Sequence, residues 1–248
     1  MKRIVFVLAV FAAMGAPAVL AQTPSAEAVL DRVDQNAVPS SKIIVSEMTI
    51  HGRRDSRTIK AKSWMRGEDQ AFTEYLDPPR ERGTKMLKLG SQLWTYSPDA
   101  DRTISISGHM LRQSVMGSDL SYEDMMESRK LRQSYASSVA GEDVLGDRPC
   151  WVLKLVSKVE DIAYQSRKIW VDKERFVVLK EERYAKSGKL LKTLEVKSVV
   201  RKDGRWVQDR AFFRDVLKTG GGTEFVILEI EFNAPIPDAI LSKAALRK

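Results

Sequence analysis

Ser114-Val-Met-Gly-Ser-Asp-Leu-Ser-Tyr-Glu-Asp-Met-Met-Glu-Ser-Arg-Lys-Leu131 is the one long interruption in a chain that otherwise reads as strand after strand. It carries helix chemistry. Ser121 can cap a helix, with Asp124 three residues on as its capping-box partner; Glu123 and Asp124 lie in the first turn, and Arg129 and Lys130 in the last, where the macrodipole favours them. Tyr122, Met125 and Met126 fall at i, i+3 and i+4 behind Leu120, giving one apolar face built of adaptable side chains. The segment is expected to form a helix over 121–130 on a glycine hinge at Gly117. Such a stripe can serve as a plug in an ordinary core or as a lid over a cavity.

On either side the hydrophobic period is two. From Lys42 onward turns arrive at short intervals, at Gly52 to Ser56, Gly67-Glu68-Asp69, Asp77-Pro78-Pro79, Gly90-Ser91 and Pro98 to Asp101. The second half repeats the pattern, with Asp147-Arg148-Pro149, Asp172-Lys173-Glu174, and the primed-turn pairs Ser187-Gly188 and Asp203-Gly204. Gly220-Gly221-Gly222 reads as a flexible loop. Strands this closely joined must be antiparallel neighbours, because a parallel crossover needs about a dozen residues or more. The expected fold is mainly antiparallel β, a meander of about eleven strands with one apolar and one charged face. A sheet that wide has to curl or split.

Alternation assigns the faces. Trp151, Leu153 and Leu155 share one side of their strand, Trp94 and Tyr96 fall together, and so do Ile104 and Ile106. Val226, Leu228, Ile230 and Phe232 oppose Glu229 and Glu231. Helix is scarce: an amphipathic stretch from Ser25 to Asn36 with Ala26, Val29, Leu30 and Val33 on one side, the 121–130 segment, and a C-terminal turn between Pro237 and Leu246. A curled sheet with an apolar concave face needs filling, and an empty apolar cavity costs about 24 cal/mol per Å³. Either these helices and the side chains fill the interior, or space is left for a ligand.

Residues 1–21 have the form of a secretory signal. Lys2 and Arg3 precede an apolar run from Ile4 to Leu20, and Val19-Leu20-Ala21 offers a cleavage site, with no cysteine beside it for a lipid anchor. The expected product is one domain, residues 22–248, soluble outside the cytoplasm. The formal charge of +8 is spread through strand-like segments and forms no dense basic block, so nucleic acid is not an expected partner. With one cysteine, Cys150, and two histidines, His51 and His109, the chain lacks the usual ligands of a structural zinc site and the groups of a nucleophilic triad. It has no phosphate loop and no nucleophile elbow either, and neither an enzyme nor a cofactor is expected. Neighbouring acids such as Glu181-Glu182 would point to opposite faces of a strand.

Several stretches resemble the outer membrane lipoprotein-sorting protein family. They are Met116-Gly-Ser-Asp-Leu-Ser-Tyr-Glu-Asp-Met125; Ile169-Trp-Val-Asp-Lys-Glu-Arg-Phe-Val-Val-Leu-Lys-Glu-Glu-Arg-Tyr184, running into Gly188-Lys-Leu-Leu-Lys-Thr-Leu194; Ile236-Pro-Asp-Ala-Ile-Leu-Ser-Lys-Ala-Ala-Leu246; and Leu93-Trp-Thr-Tyr-Ser-Pro98. Leu120 stands where an aromatic residue is often seen, and Ile240-Leu241 where a Leu-Phe pair is usual. The resemblance implies the fold of the periplasmic lipoprotein carrier of the Lol system and of its outer-membrane acceptor, LolA/LolB-like: an incomplete, open β-barrel wrapping short helices around an apolar cavity. It implies a periplasmic carrier of lipid or lipoprotein acyl chains, moving them from an inner-membrane donor toward an outer-membrane acceptor, as a monomer. A protein-binding, envelope-stress regulatory module is the alternative on the same fold. The side chains expected to line the cavity or its lid are Trp64, Trp94, Tyr96, Ile104, Leu120, Tyr122, Met125, Met126, Trp151, Leu153 and Leu155.

Overall fold

The computed structural model describes residues 24–247 apart from 38, 128, 129 and 161. The signal sequence expected at 1–21 therefore lies outside the described residues, as does Arg129.

Helix α1 (Ala26–Ala37) begins where its cap predicts: the Ser25 Oγ accepts from the Ala28 N–H at 3.2 Å. Its buried stripe, Ala26, Val29, Leu30 and Val33, packs on Tyr135, Trp151, Leu153, Leu155, Ile169 and Val171. The strands form one antiparallel sheet. Its strands are β1 (Ser41–His51), β2 (Ser56–Arg66), β3 (Gln70–Asp77), β4 (Lys85–Leu89), β5 (Gln92–Ser97) and β6 (Arg102–Ile106), then β7 (Tyr135–Leu145), β8 (Arg148–Ser157), β9 (Ser166–Asp172), β10 (Val178–Tyr184), β11 (Leu190–Lys202), β12 (Arg205–Asp215) and β13 (Gly222–Phe232). The order across the sheet is β6-β5-β4-β3-β2-β1-β13-β12-β11-β10-β9-β8-β7. Two meanders are thus seamed by the pairing of β1 with β13, and the barrel stays open between its edges, β6 and β7.

Among the described residues there are thirteen strands, where the turn signals suggested about eleven. The connection from β8 to β9 contains neither Gly nor Pro, so turn chemistry alone does not reveal it. At Asp203-Gly204 the expected primed turn is present, both residues having positive φ, 48° and 79°. Gly220 to Gly222 is not a loose loop. The Gly221 N–H donates to the His51 carbonyl at 2.7 Å, and Gly222, at φ 101°, lies so close to the Phe212 ring that a Cβ there would sit 2.4 Å from Cζ.

The sheet has an inner face, which carries α1 and the 108–134 connection, and an outer face. A bulge opposite Val45/Ser46 shifts the phase of β13, so Phe225, Ile227, Ile230 and Phe232 face inward. Leu228, grouped by simple alternation with Ile230, is 45% exposed. The outer face is apolar too, for a reason the tail supplies: Ile236, Leu241 and Leu246 pack on Phe72, Leu87 and Trp94. A 3-10 turn, Lys243–Arg247, ends this segment, and Arg66 pairs with Asp238 at 2.6 Å. Cys150 is fully buried on the outer face beside Val152 and Trp170, where burial pushes its thiol pKa up.

Candidate functional site

All other strand connections being local, the stretch between β6 and β7 necessarily runs from one free edge of the barrel to the other. It contains 3-10 turns at Gly108–Arg112 and Val115–Gly117, then α2 (Tyr122–Met126) and α3 (Leu131–Ser134). The helix expected over 121–130 is therefore shorter: α2 stops at Met126, Glu127 is extended, and Lys130 stands at the N-cap of α3 rather than in a last turn. The start is as predicted. Ser121 Oγ accepts from the Asp124 N–H at 3.2 Å, and the Ser121 N–H donates to Asp124 Oδ2 at 2.7 Å, completing a capping box.

Toward β6 the segment is a plug. Leu120 and Val115 are buried among Met48, Ile59, Tyr75 and Leu93, with Tyr122 and Met126 packed against them. Asp119 pins this end: Thr223 Oγ1 donates to its Oδ2 at 2.7 Å, and the Asp215 N–H to its Oδ1 at 2.9 Å. Between this plug and α1 the packing stops short. There a cavity of about 440 Å³ opens between α1, the inner face of β1 and of β10 to β13, and the end of α2. Ile44, Met125, Leu194, Phe213, Ile227 and Ile230 supply much of its apolar wall. The volume lies within the range of single small-ligand sites, roughly 300–1,000 Å³.

Of the side chains expected at the site, Met125 lines this cavity. Leu120, Tyr122 and Met126 belong to the plug, and Trp151, Leu153 and Leu155 are filled over by α1. Trp64, Trp94 and Tyr96 lie on the outer face under the C-terminal segment, and Ile104 is 39% exposed on the edge strand. Alternation grouped these residues correctly within each strand; it could not say which group faced inward, since both faces of β2 to β5 are covered.

A buried ionic network, not foreseen from the sequence, joins α2 and Glu127 to the sheet. Asp124, its side chain 3% exposed, accepts from Arg183 Nη1 at 2.9 Å and from Tyr164 Oη at 2.6 Å, and also from Lys192. Arg167, 2% exposed, donates to Glu181 at 2.8 Å and also pairs with Glu127. Arg183 reaches the other Glu181 oxygen at 3.0 Å. Burial alone would raise the Asp124 pKa, but Arg183 and Lys192 outweigh it and hold the carboxyl at about 2. In the same way burial works against Glu181 ionising, and Arg183 and Arg167 win. Glu182, its neighbour, points to the other face and bonds Tyr184, as adjacent strand residues must. The signal in the sequence was phase: Arg167 stands two residues from Ile169, and Lys192 two from Leu194, so these charges share the parity of buried positions.

A protein family described as uncharacterized protein matches over residues 67–248. The chain belongs to that family. Among solved structures, a DUF1329 family protein from Desulfovibrio piger superposes with a TM-score of 0.83 at 22% identity, over 89% of this chain and 97% of that one. A candidate outer membrane lipoprotein-sorting protein domain from Vibrio parahaemolyticus gives 0.78 at 23% identity, over 90% and 98%. A LolA superfamily protein from Nitrosomonas europaea gives 0.76 at 22%, over 90% and 100%. No curated protein matches the sequence. The fold of this family member is thus an open antiparallel barrel like those of these structures, in agreement with the resemblance read from its motifs. Among the described residues, no helix is long and apolar enough to cross a membrane.

Proposed function

We propose that the protein is a periplasmic carrier that holds lipid or lipoprotein acyl chains in the cavity between α1, the inner sheet face and the end of α2. The observation that carries this is the cavity itself: about 440 Å³ with a largely apolar wall, kept open in a barrel whose other inner surfaces are filled. Each methylene buried there contributes roughly 0.8 kcal/mol, so a chain of ordinary length would load without a covalent step or an energy source. Similarity of fold to a lipoprotein-sorting domain and to a LolA superfamily protein supports the same class of cargo. In this reading residues 1–21 direct secretion, residues 22–248 act as one binding domain, and an inner-membrane donor and an outer-membrane acceptor stand at the two ends of the route.

Native mass spectrometry of the protein taken from a periplasmic extract without detergent tests it. The expected spectrum shows a lipid-sized adduct, and protein stripped of it takes up one equivalent of a fluorescent acyl probe. Bare protein that takes up no probe removes the carrier function.

A further inference from the structure

We propose that the cavity is built for an acyl chain ending in a single carboxylate, a long-chain fatty acid, with the ammonium of Lys42 receiving the head. This deepens the carrier function above and rests on it. Four cationic side chains lie in the cavity wall, and three are engaged within the protein. Arg167 and Arg183 are paired with Glu127, Glu181 and Asp124, and Lys88 donates to the carbonyls of Glu68 and Met126 at 2.7 and 2.9 Å. The side chain of Lys42 has no hydrogen bond or ion pair among the described residues.

Its position suits a head group. On the sheet, Lys42 is flanked by Met65 on β2 and Phe232 on β13, both of which line the cavity. It stands next to the first residue of β1, Ser41, at the end of the strand. The next inward position on the strand, Ile44, faces Ile230, and from there the wall continues through Ile227, Phe213 and Met125. A chain with its head at Lys42 would therefore run over uninterrupted apolar surface. The carboxylates of the wall are not free to satisfy the ammonium: Asp34 accepts from the Leu131 and Arg132 N–H groups at 2.9 and 3.1 Å, and Glu68 lies 3.7 Å from Lys130. Burial alone lowers the Lys42 pKa, the mark of an ammonium held in apolar surroundings without a counter-charge. One ammonium matches one negative charge. A dianionic head would meet Asp34 and Glu68 in the same wall.

The test compares dodecanoate with 1-dodecanol, equal in length and different in charge, by titration calorimetry of the whole protein near pH 7.5. A charge-assisted hydrogen bond predicts that the acid binds about ten- to a hundredfold more tightly. Lys42→Met should remove that advantage and leave the alcohol unchanged, while Lys42→Arg should keep it. Equal affinities in the unmodified protein, or an acid affinity unmoved by Lys42→Met, overturn the head-group assignment and leave the carrier function standing. Dodecyl phosphate bound tenfold more tightly than dodecanoate overturns the choice of carboxylate. If neither the acid nor the alcohol binds, the acyl cavity falls with both.

Discussion

Arg183 Nη1 lies 2.9 Å from Asp124 Oδ1, tying β10 to the first turn of α2. The bond makes α2 and the sheet one structure, and it does so with groups that are nearly all out of water. Two consequences of burying such a pair can be measured.

Removing one partner leaves the other charged and unsolvated. Arg183→Ala should destabilise the protein by about 3–5 kcal/mol, because Asp124 and Glu181 each lose one of their two buried cationic partners. Urea denaturation of the two proteins would show it as a lower midpoint at similar slope. A change below about 1 kcal/mol would mean that Lys192 and Arg167 suffice.

The pH dependence follows from Asp124. Its folded pKa, about 2, lies below the ordinary 3.8, so the stability it contributes is fully present above about pH 4 and is lost as pH falls toward 2. The shift corresponds to roughly 2 kcal/mol. The melting temperature should decline through that window, and Asp124→Asn should be less stable at pH 7 with a shallower decline. Parallel profiles for the two proteins would contradict the assignment.

Gly222 has both a left-handed backbone and no room for a side chain. Gly222→Ala would place a methyl against Phe212 and strain the backbone, at a cost of about 1–3 kcal/mol. Gly204→Asn, at a hairpin turn with open space around it, should cost much less. Thermal melts of both variants decide the comparison.

Cargo capacity and stability should separate by face. Leu194→Trp, which fills the cavity, should abolish uptake of an acyl probe while the protein stays folded. Trp94→Ala acts on the outer face beneath the C-terminal segment, where Lys243 lies 4.1 Å over its ring. It should cost about 3–5 kcal/mol and leave uptake by the folded protein intact. Probe titration and calorimetric melts on each variant supply both readouts.

These contrasts also mark how far residues alone lead. Caps and hairpins are written locally, so Ser25, Ser121 and Asp203-Gly204 could be placed without coordinates. The antiparallel meander followed from period and turn spacing, and the open barrel from the resemblance to the lipoprotein-sorting family. Which face looks inward did not follow, because the outer face of β2 to β5 also carries an apolar patch, which Ile236, Leu241 and Leu246 of the tail cover. The bulge in β13 breaks the alternation that would have assigned Leu228. The ionic network was hidden for another reason: single charges in a strand look solvated until the facing connection supplies Asp124 and Glu127. Lys42 was overlooked in the same way, although it keeps step with Ile44.

The seam of β1 with β13 joins residues near opposite ends of the chain. Each meander can form from neighbours in sequence, and quickly, but the two halves share a sheet only when the last strand arrives. A nascent chain halted before Gly222 would expose eleven residues of β1 as an unpaired edge, the kind of surface on which chains aggregate. Closure of the sheet therefore waits on β13, whichever meander forms first.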